Sequence, residues 1–281
     1  MRSGISSRAD SDGMRSATAR PDPGRVGPAL RSDQLESQFP HEVLAVVFRV
    51  RRGRLEVLLW QRAARPFQAR WSLPCGPLRA GERLGTSVVA HLAAKVDLTS
   101  IEHLEQLETR SDPDRDPRGR VLATAYLALV GTGAEPQVPA DTAWHPVGAL
   151  PPMAFDHASI VNSARERLRA KLSYTNIGFA LAPKTFTISA LRDVYAACLG
   201  HPVSASNLRR VLTRRGVIEP TPEMARPTAS GGRPPTLYRF AATSLVVTNP
   251  FAAFRPPAPP PSEGGALQPL GAGKGGRHQK A

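Results

Sequence analysis

Between residues 187 and 240 a compact apolar helix, a short connection, an arginine-bearing helix and a glycine-proline hairpin follow one another, and few folds accept that order. In TISALRDVYAACLG, Leu191, Val194, Tyr195, Cys198 and Leu199 recur on one helical face, and Gly200 suits the C-terminal stop. HPVSAS connects this helix to NLRRVLTRRG, where Ser206 is placed to cap and Leu208, Val211 and Leu212 point to a core. Asn207, Arg210 and Arg214 share the outward face, flanked by Arg209 and Thr213. VIEPTPEMARPTASGGRPPTLYRF then reads as a strand, a flexible hairpin with Arg233 at its tip, and a return strand. The succession predicts a winged helix-turn-helix over residues 173–250.

Such a domain places its second helix in the major groove, where arginine reads guanine and asparagine reads adenine. The candidate DNA contacts are Asn207, Arg209, Arg210, Arg214, Arg215 and Arg233. Alone, an arginine run is a solvated helix face and a Gly-Pro stretch is a loop; their order argues for more. Charge distribution agrees. The chain's formal charge of +14 could reflect nothing but arginine-rich composition. Residues 173–250, however, hold 9 basic and 3 acidic residues, whereas residues 40–150 hold 14 and 12. A localised excess is the footprint of a polyanion partner.

At 281 residues the chain has room for about two domains. Residues 1–38 and 251–281 are polar or Pro/Gly-rich, without period, and are expected to be disordered; Met14 is an alternative start. No apolar run approaches the roughly 20 residues that span a bilayer, and no signal core opens the chain, so a cytoplasmic, nucleoid-associated protein is expected. Cys75 and Cys198 lack metal-ligand spacing and read as inert buried thiols.

Residues 39–153 read as an α+β domain. HEVLAVVFRV and LEVLLW form a hairpin about RRGR, and VLATAYLALV is a further strand. TSVVAHLAAKV is a helix with Val89, Leu92 and Val96 inward and Thr86 or Ser87 as cap. Residues 154–172 are a helix with Asp156 as N-cap and Ile160, Ala164, Leu168 and Leu172 on one face, placed to couple the two domains.

GPLRAGERLGTSVVAHLAAKVDL resembles the Nudix box. Gly76, Glu82 and Leu98 match it. The box's Arg-Glu pair is replaced by Ala90-His91, its Glu-Glu pair by Ala94-Lys95 and its late Gly by Asp97. Mg²⁺ needs oxygen ligands, and Ala90, His91, Ala94 and Lys95 supply none. With LLWQRA, RWSLPCG, SDPDRDPRGRVLATAYLALV, WHPVGALPPMAFDH, ARERLRAKL, FTISALRDVYAACLG, NLRRVLTRRG and GGRPPTLYRF in order, residues 40–240 resemble the Nudix-related transcriptional regulators of NrtR type. That resemblance implies a Nudix-like α/β/α sandwich with a mixed sheet, followed by the winged helix. It implies a homodimeric repressor of NAD metabolism genes that reads a palindromic double-stranded DNA operator. The implied effector is ADP-ribose or an NAD-related nucleotide, with no cofactor required.

A pyrophosphate bound without metal needs cationic forks. Arg62, Arg70, Arg79 and Arg118 are the candidates, with Asp116 placed to accept from ribose hydroxyls. Trp71 or Phe155 could stack on adenine. A salt-bridged surface loop and two core aromatics are the competing readings. Two other functions remain open at this level: an active Nudix hydrolase of nucleoside diphosphate derivatives with an accessory nucleic-acid-binding domain, and a nucleic-acid binder without ligand sensing.

Overall fold

The computed structural model describes residues 39–132, 138–225 and 234–248. The expected disorder of both termini, the alternative start at Met14 and the tip residue Arg233 lie outside these residues.

β1 (His41–Arg51) and β2 (Arg54–Gln61) form the expected hairpin, with Arg51 opposite Arg54. Arg52 and Gly53 between them both have positive φ, the two-residue turn whose twist matches paired strands. Five strands run in the order β3 (Trp71–Ser72), β2, β1, β6 (Leu122–Leu129) and β5 (His103–Arg110). β4 (Cys75–Pro77) adds to β1 and β7 (Thr142–Pro146) to β2. β1 and β6 are parallel and the other pairs antiparallel, so the sheet is mixed.

The continuous apolar run of β1 follows from burial on both faces. Val43, Ala45 and Val47 meet Val88, Leu92 and Val96 of α1 (Leu84–Val96). Leu44, Val46 and Phe48 join Ile160, Ala164, Leu168 and Leu172 of α2 (His157–Tyr174). The second cluster continues through Leu191, Tyr195 and Leu208 to Phe240 of the C-terminal region, so one apolar core spans the sheet, the connecting helix and the winged helix. Among the described residues no helix is long and apolar enough to cross a membrane.

After a 3-10 turn at Ile177–Ala180 come α3 (Ile188–Leu199), α4 (Ala205–Arg214) and the antiparallel pair β8 (Ile218–Met224) and β9 (Thr236–Phe240). All five expected apolar residues of α3 and all three of α4 are buried.

Four local expectations are corrected. Val89 is 42% exposed and Val88 takes the inward place, because it lies four residues before Leu92 and eight before Val96 on the one buried face. Neither Thr86 nor Ser87 caps α1; the Ser87 hydroxyl donates to Glu82 instead. Ser204 rather than Ser206 caps α4, accepting from the Asn207 amide. Asp156 occupies the cap position of α2 without a capping bond, its carboxylate being bound by Arg115. The charged side chains of β5 and the short, half-exposed run of β7 hide strand alternation in sequence.

Candidate nucleic-acid interface and anion cluster

α4 is strongly two-sided. Leu208, Val211 and Leu212 are buried, while Asn207, Arg209, Arg210, Thr213 and Arg214 are exposed. Arg210 donates to the Asn207 side-chain oxygen at 2.7 Å, which pre-positions its guanidinium. Ser206, Arg209, Arg210, Thr213 and Arg214 line a groove closed on its far side by Pro220 and Tyr238 of the β8–β9 pair. A second depression joins Arg209 and Tyr238 to Thr187 and Ser189 at the start of α3. Tyr238 was missed in sequence because its place in a strand gives no sign that two elements away lies an arginine helix. Arg215 departs from the others. It is half-buried, and its guanidinium donates to the Ser173 carbonyl at the end of α2 at 3.0 Å. Arg215 thus ties the end of α4 to the connecting helix.

The second cluster forms around Phe155. The guanidinium carbons of Arg62 and Arg118 lie 4.7 and 5.7 Å from the ring centroid. Phe67 packs edge-on at 4.9 Å. Phe155 and Phe67 both have left-handed backbone, φ 51° and 62°, a conformation that costs bulky residues energy and concentrates at binding sites. Phe155 stood among the sequence candidates, but nothing in the sequence signalled Phe67, since backbone strain is invisible there.

Asp116 has a different place from the one expected. Its side chain is 1% exposed, and it accepts from the backbone amide, Nε and terminal nitrogen of Arg118. Burial opposes its charge, but those Arg118 bonds hold its carboxyl below the usual range. Asp116 therefore aims Arg118, itself half exposed, and has little capacity left for a ribose. Arg115, also missed, is buried between Asp156 at 2.9 Å and Glu42 at 4.0 Å. Arg70 and Arg79 are exposed; the Arg70 backbone bonds to Arg62 and Phe67 at 3.0 and 3.1 Å, but among the described residues no side-chain hydrogen bond or ion pair joins either arginine to this cluster. Trp71 packs against the core and edge-on to His145 at 4.3 Å, the core role.

The helix face that would hold a cation in a Nudix box is α1. Ala90 and Ala94 are exposed there. The His91 ring fills the space a side chain at Gly76 would need and bonds the Pro77 carbonyl oxygen at 3.0 Å. The Lys95 ammonium lies 4.8 Å over the Trp60 ring. Glu82 is turned to Ser87, a bond that lowers its pKa. These residues do not fit a hard divalent cation, which needs several oxygen ligands and no adjacent ammonium.

The NUDIX domain family matches residues 40–164, and the NrtR DNA-binding winged helix domain matches residues 178–240. The chain is 32% identical over 223 residues to the ADPR responsive transcriptional repressor NtrR of Acinetobacter baylyi, covering 76% of this chain and 88% of that protein. The crystal structure of Shewanella oneidensis NrtR is 31% identical and superposes with a TM-score of 0.65 over 76% of this chain and 98% of its own. The same protein complexed with a 27mer DNA is 32% identical, with a TM-score of 0.60 over 71% and 92%.

Proposed function

Because this chain belongs to the NrtR family of Nudix-related transcriptional regulators, we propose that it is a DNA-binding repressor whose operator affinity is set by ADP-ribose or a related nucleotide. The observation that carries this reading is the exposed arginine face of α4, with Arg210 oriented by Asn207 and Tyr238 closing the groove. Arg209, Arg210 and Arg214 enter the major groove, with Asn207 beside them. Arg62 and Arg118 hold the pyrophosphate, and Phe155 offers the base or sugar an aromatic wall. The Nudix-like domain acts as a sensor and not as a hydrolase, since His91, Ala94 and Lys95 stand where metal carboxylates would be needed. Two chains form the working unit and read a palindrome whose half-sites lie about one helical turn apart.

The path between the surfaces follows α2. Its start is held by Arg115 through Asp156, next to the Phe155 cluster, and its end receives Arg215 from α4. Ligand binding that alters the first contact shifts the placement of α4 only through different ligand affinity for the two states. Titration of a promoter-derived duplex, with random DNA as competitor and ADP-ribose as effector, tests the reading. The expected result is sequence-selective binding that ADP-ribose weakens, with DNA weakening ADP-ribose binding by the same factor. Equal ligand affinity with and without bound operator overturns the switch, and Mg²⁺-dependent hydrolysis of ADP-ribose overturns the sensor assignment.

A further inference from the structure

We propose that the β1–β2 hairpin, through Arg52 and Arg54, is a second DNA-backbone contact, contributed by the Nudix-like domain and separate from both α4 and the β8–β9 wing. The inference rests on the DNA-binding reading above and extends its surface.

The placement comes from packing. α3 abuts β1 and β2, and Arg54 and Leu55 line a 310 Å³ cavity with Ala197 and Gly200 at the end of α3. Gly200 opens the connection that leads to Ser204, the cap of α4. Four residues span at most about 14 Å. The major groove is about 12 Å wide. With the start of α4 in that groove, Gly200 and the hairpin beside it come within reach of the flanking sugar-phosphate strand.

The charge on this patch is one-sided. Arg165 of α2 lines the same cavity, and Arg165 and Arg169 both crowd Gly200. Glu166 is engaged by Arg169 and Glu56 by Arg49. Arg52, Arg54 and Arg165 form no ion pair among the described residues, and Arg52 and Arg54 are exposed. Burial, and then the neighbouring Arg169, lower the pKa of Arg165 against the opposing pull of Glu166. Arg52 also sits at φ 49°, a conformation that suits asparagine or glycine better than arginine. Local conformational energy works against arginine there, so a task for its charge accounts for it.

The test uses Arg52→Asn combined with Arg54→Gln in the full chain, and a random-sequence duplex, because backbone contacts carry no sequence information. Asn at position 52 relieves the left-handed strain, so thermal unfolding should occur at or above the wild-type temperature. DNA affinity should fall all the same. The slope of log K against log salt should flatten by about 0.9 for each phosphate that is no longer neutralised, about 1.8 per bound chain. A folded double variant with wild-type affinity and slope overturns the inference. Arg209→Ala with Arg210→Ala separates the two proposals. Weakened binding in that variant beside an unchanged hairpin variant removes the hairpin alone, whereas wild-type protein that binds no duplex removes the DNA-binding reading and this inference together.

Discussion

Arg115 and Asp156 meet in a 2.9 Å ion pair at the first turn of α2, with the arginine side chain only 2% exposed. The pair fixes the 112–119 loop to the start of the helix that reaches the DNA-binding domain. It also explains why Asp156, at the cap position, makes no capping bond. Removing one partner of a buried pair leaves the other charge unpaired, which typically costs about 3–5 kcal/mol. Glu42, 4.0 Å away, remains as a counter-charge to the buried Arg115, so Asp156→Ala should cost about 3 kcal/mol, the low end of that range. Asp156→Asn keeps a hydrogen-bond acceptor and should fold. It should bind promoter DNA near wild-type strength but respond less to ADP-ribose, measured as the ratio of DNA affinities with and without effector. A wild-type ratio would remove this pair from the coupling path.

Arg210 is held by the Asn207 side-chain oxygen. Arg210→Ala should weaken operator binding by about 1–3 kcal/mol and relax selectivity at one base position. Asn207→Ala should reproduce part of that loss through a disordered guanidinium. A double-mutant cycle in a competition assay checks this, and strictly additive effects would show that the two act separately.

Asp116 supports Arg118 from beneath. Arg118→Ala should weaken ADP-ribose binding by about 1.5–3 kcal/mol, the scale of a charged hydrogen bond. Asp116→Asn should cost less, since it loosens the guanidinium without removing it. Calorimetric titration with ADP-ribose reads both, and an equal or larger effect of Asp116→Asn would return Asp116 to direct ligand contact.

His157 is fully buried at the start of α2, where Nδ1 accepts from the Leu73 amide and pairs with the Ser72 hydroxyl. Burial pushes its pKa down from 6.5 to about 3. The folded value is depressed, so the unfolded chain binds the proton more readily between pH 6.5 and 3. Stability is therefore complete above pH 6.5 and is lost as pH falls through that window. Between pH 7 and 5 the loss from this group should be about 2 kcal/mol. Urea unfolding at the two pH values should show that difference, and His157→Asn, which preserves an acceptor, should lack it. Identical pH slopes in the two proteins would contradict the assignment.

The features legible in sequence share one cause, in that each is local or periodic. Leu191 through Leu199 and Leu208 through Leu212 are spaced by the helical repeat, so burial of one face follows from the chain alone. The Arg52-Gly53 turn and the alternation of Val43–Phe48 about the sheet follow the same way. The replacement of box carboxylates by His91, Ala94 and Lys95 is likewise a fact of composition at fixed spacing. Tertiary structure decided what those rules cannot reach. Whether Asp116 faces a ligand or Arg118 depends on loop geometry, and so does the left-handed backbone that sets Phe67 against Phe155. Arg215 belongs to a basic run in sequence, yet folding aims it at Ser173. Arg54 lies nearly 150 positions before Gly200, and only the shared apolar core brings that hairpin beside the helix-turn-helix. A side chain's partner is set by which long-range surfaces bury together, and no local period encodes that choice.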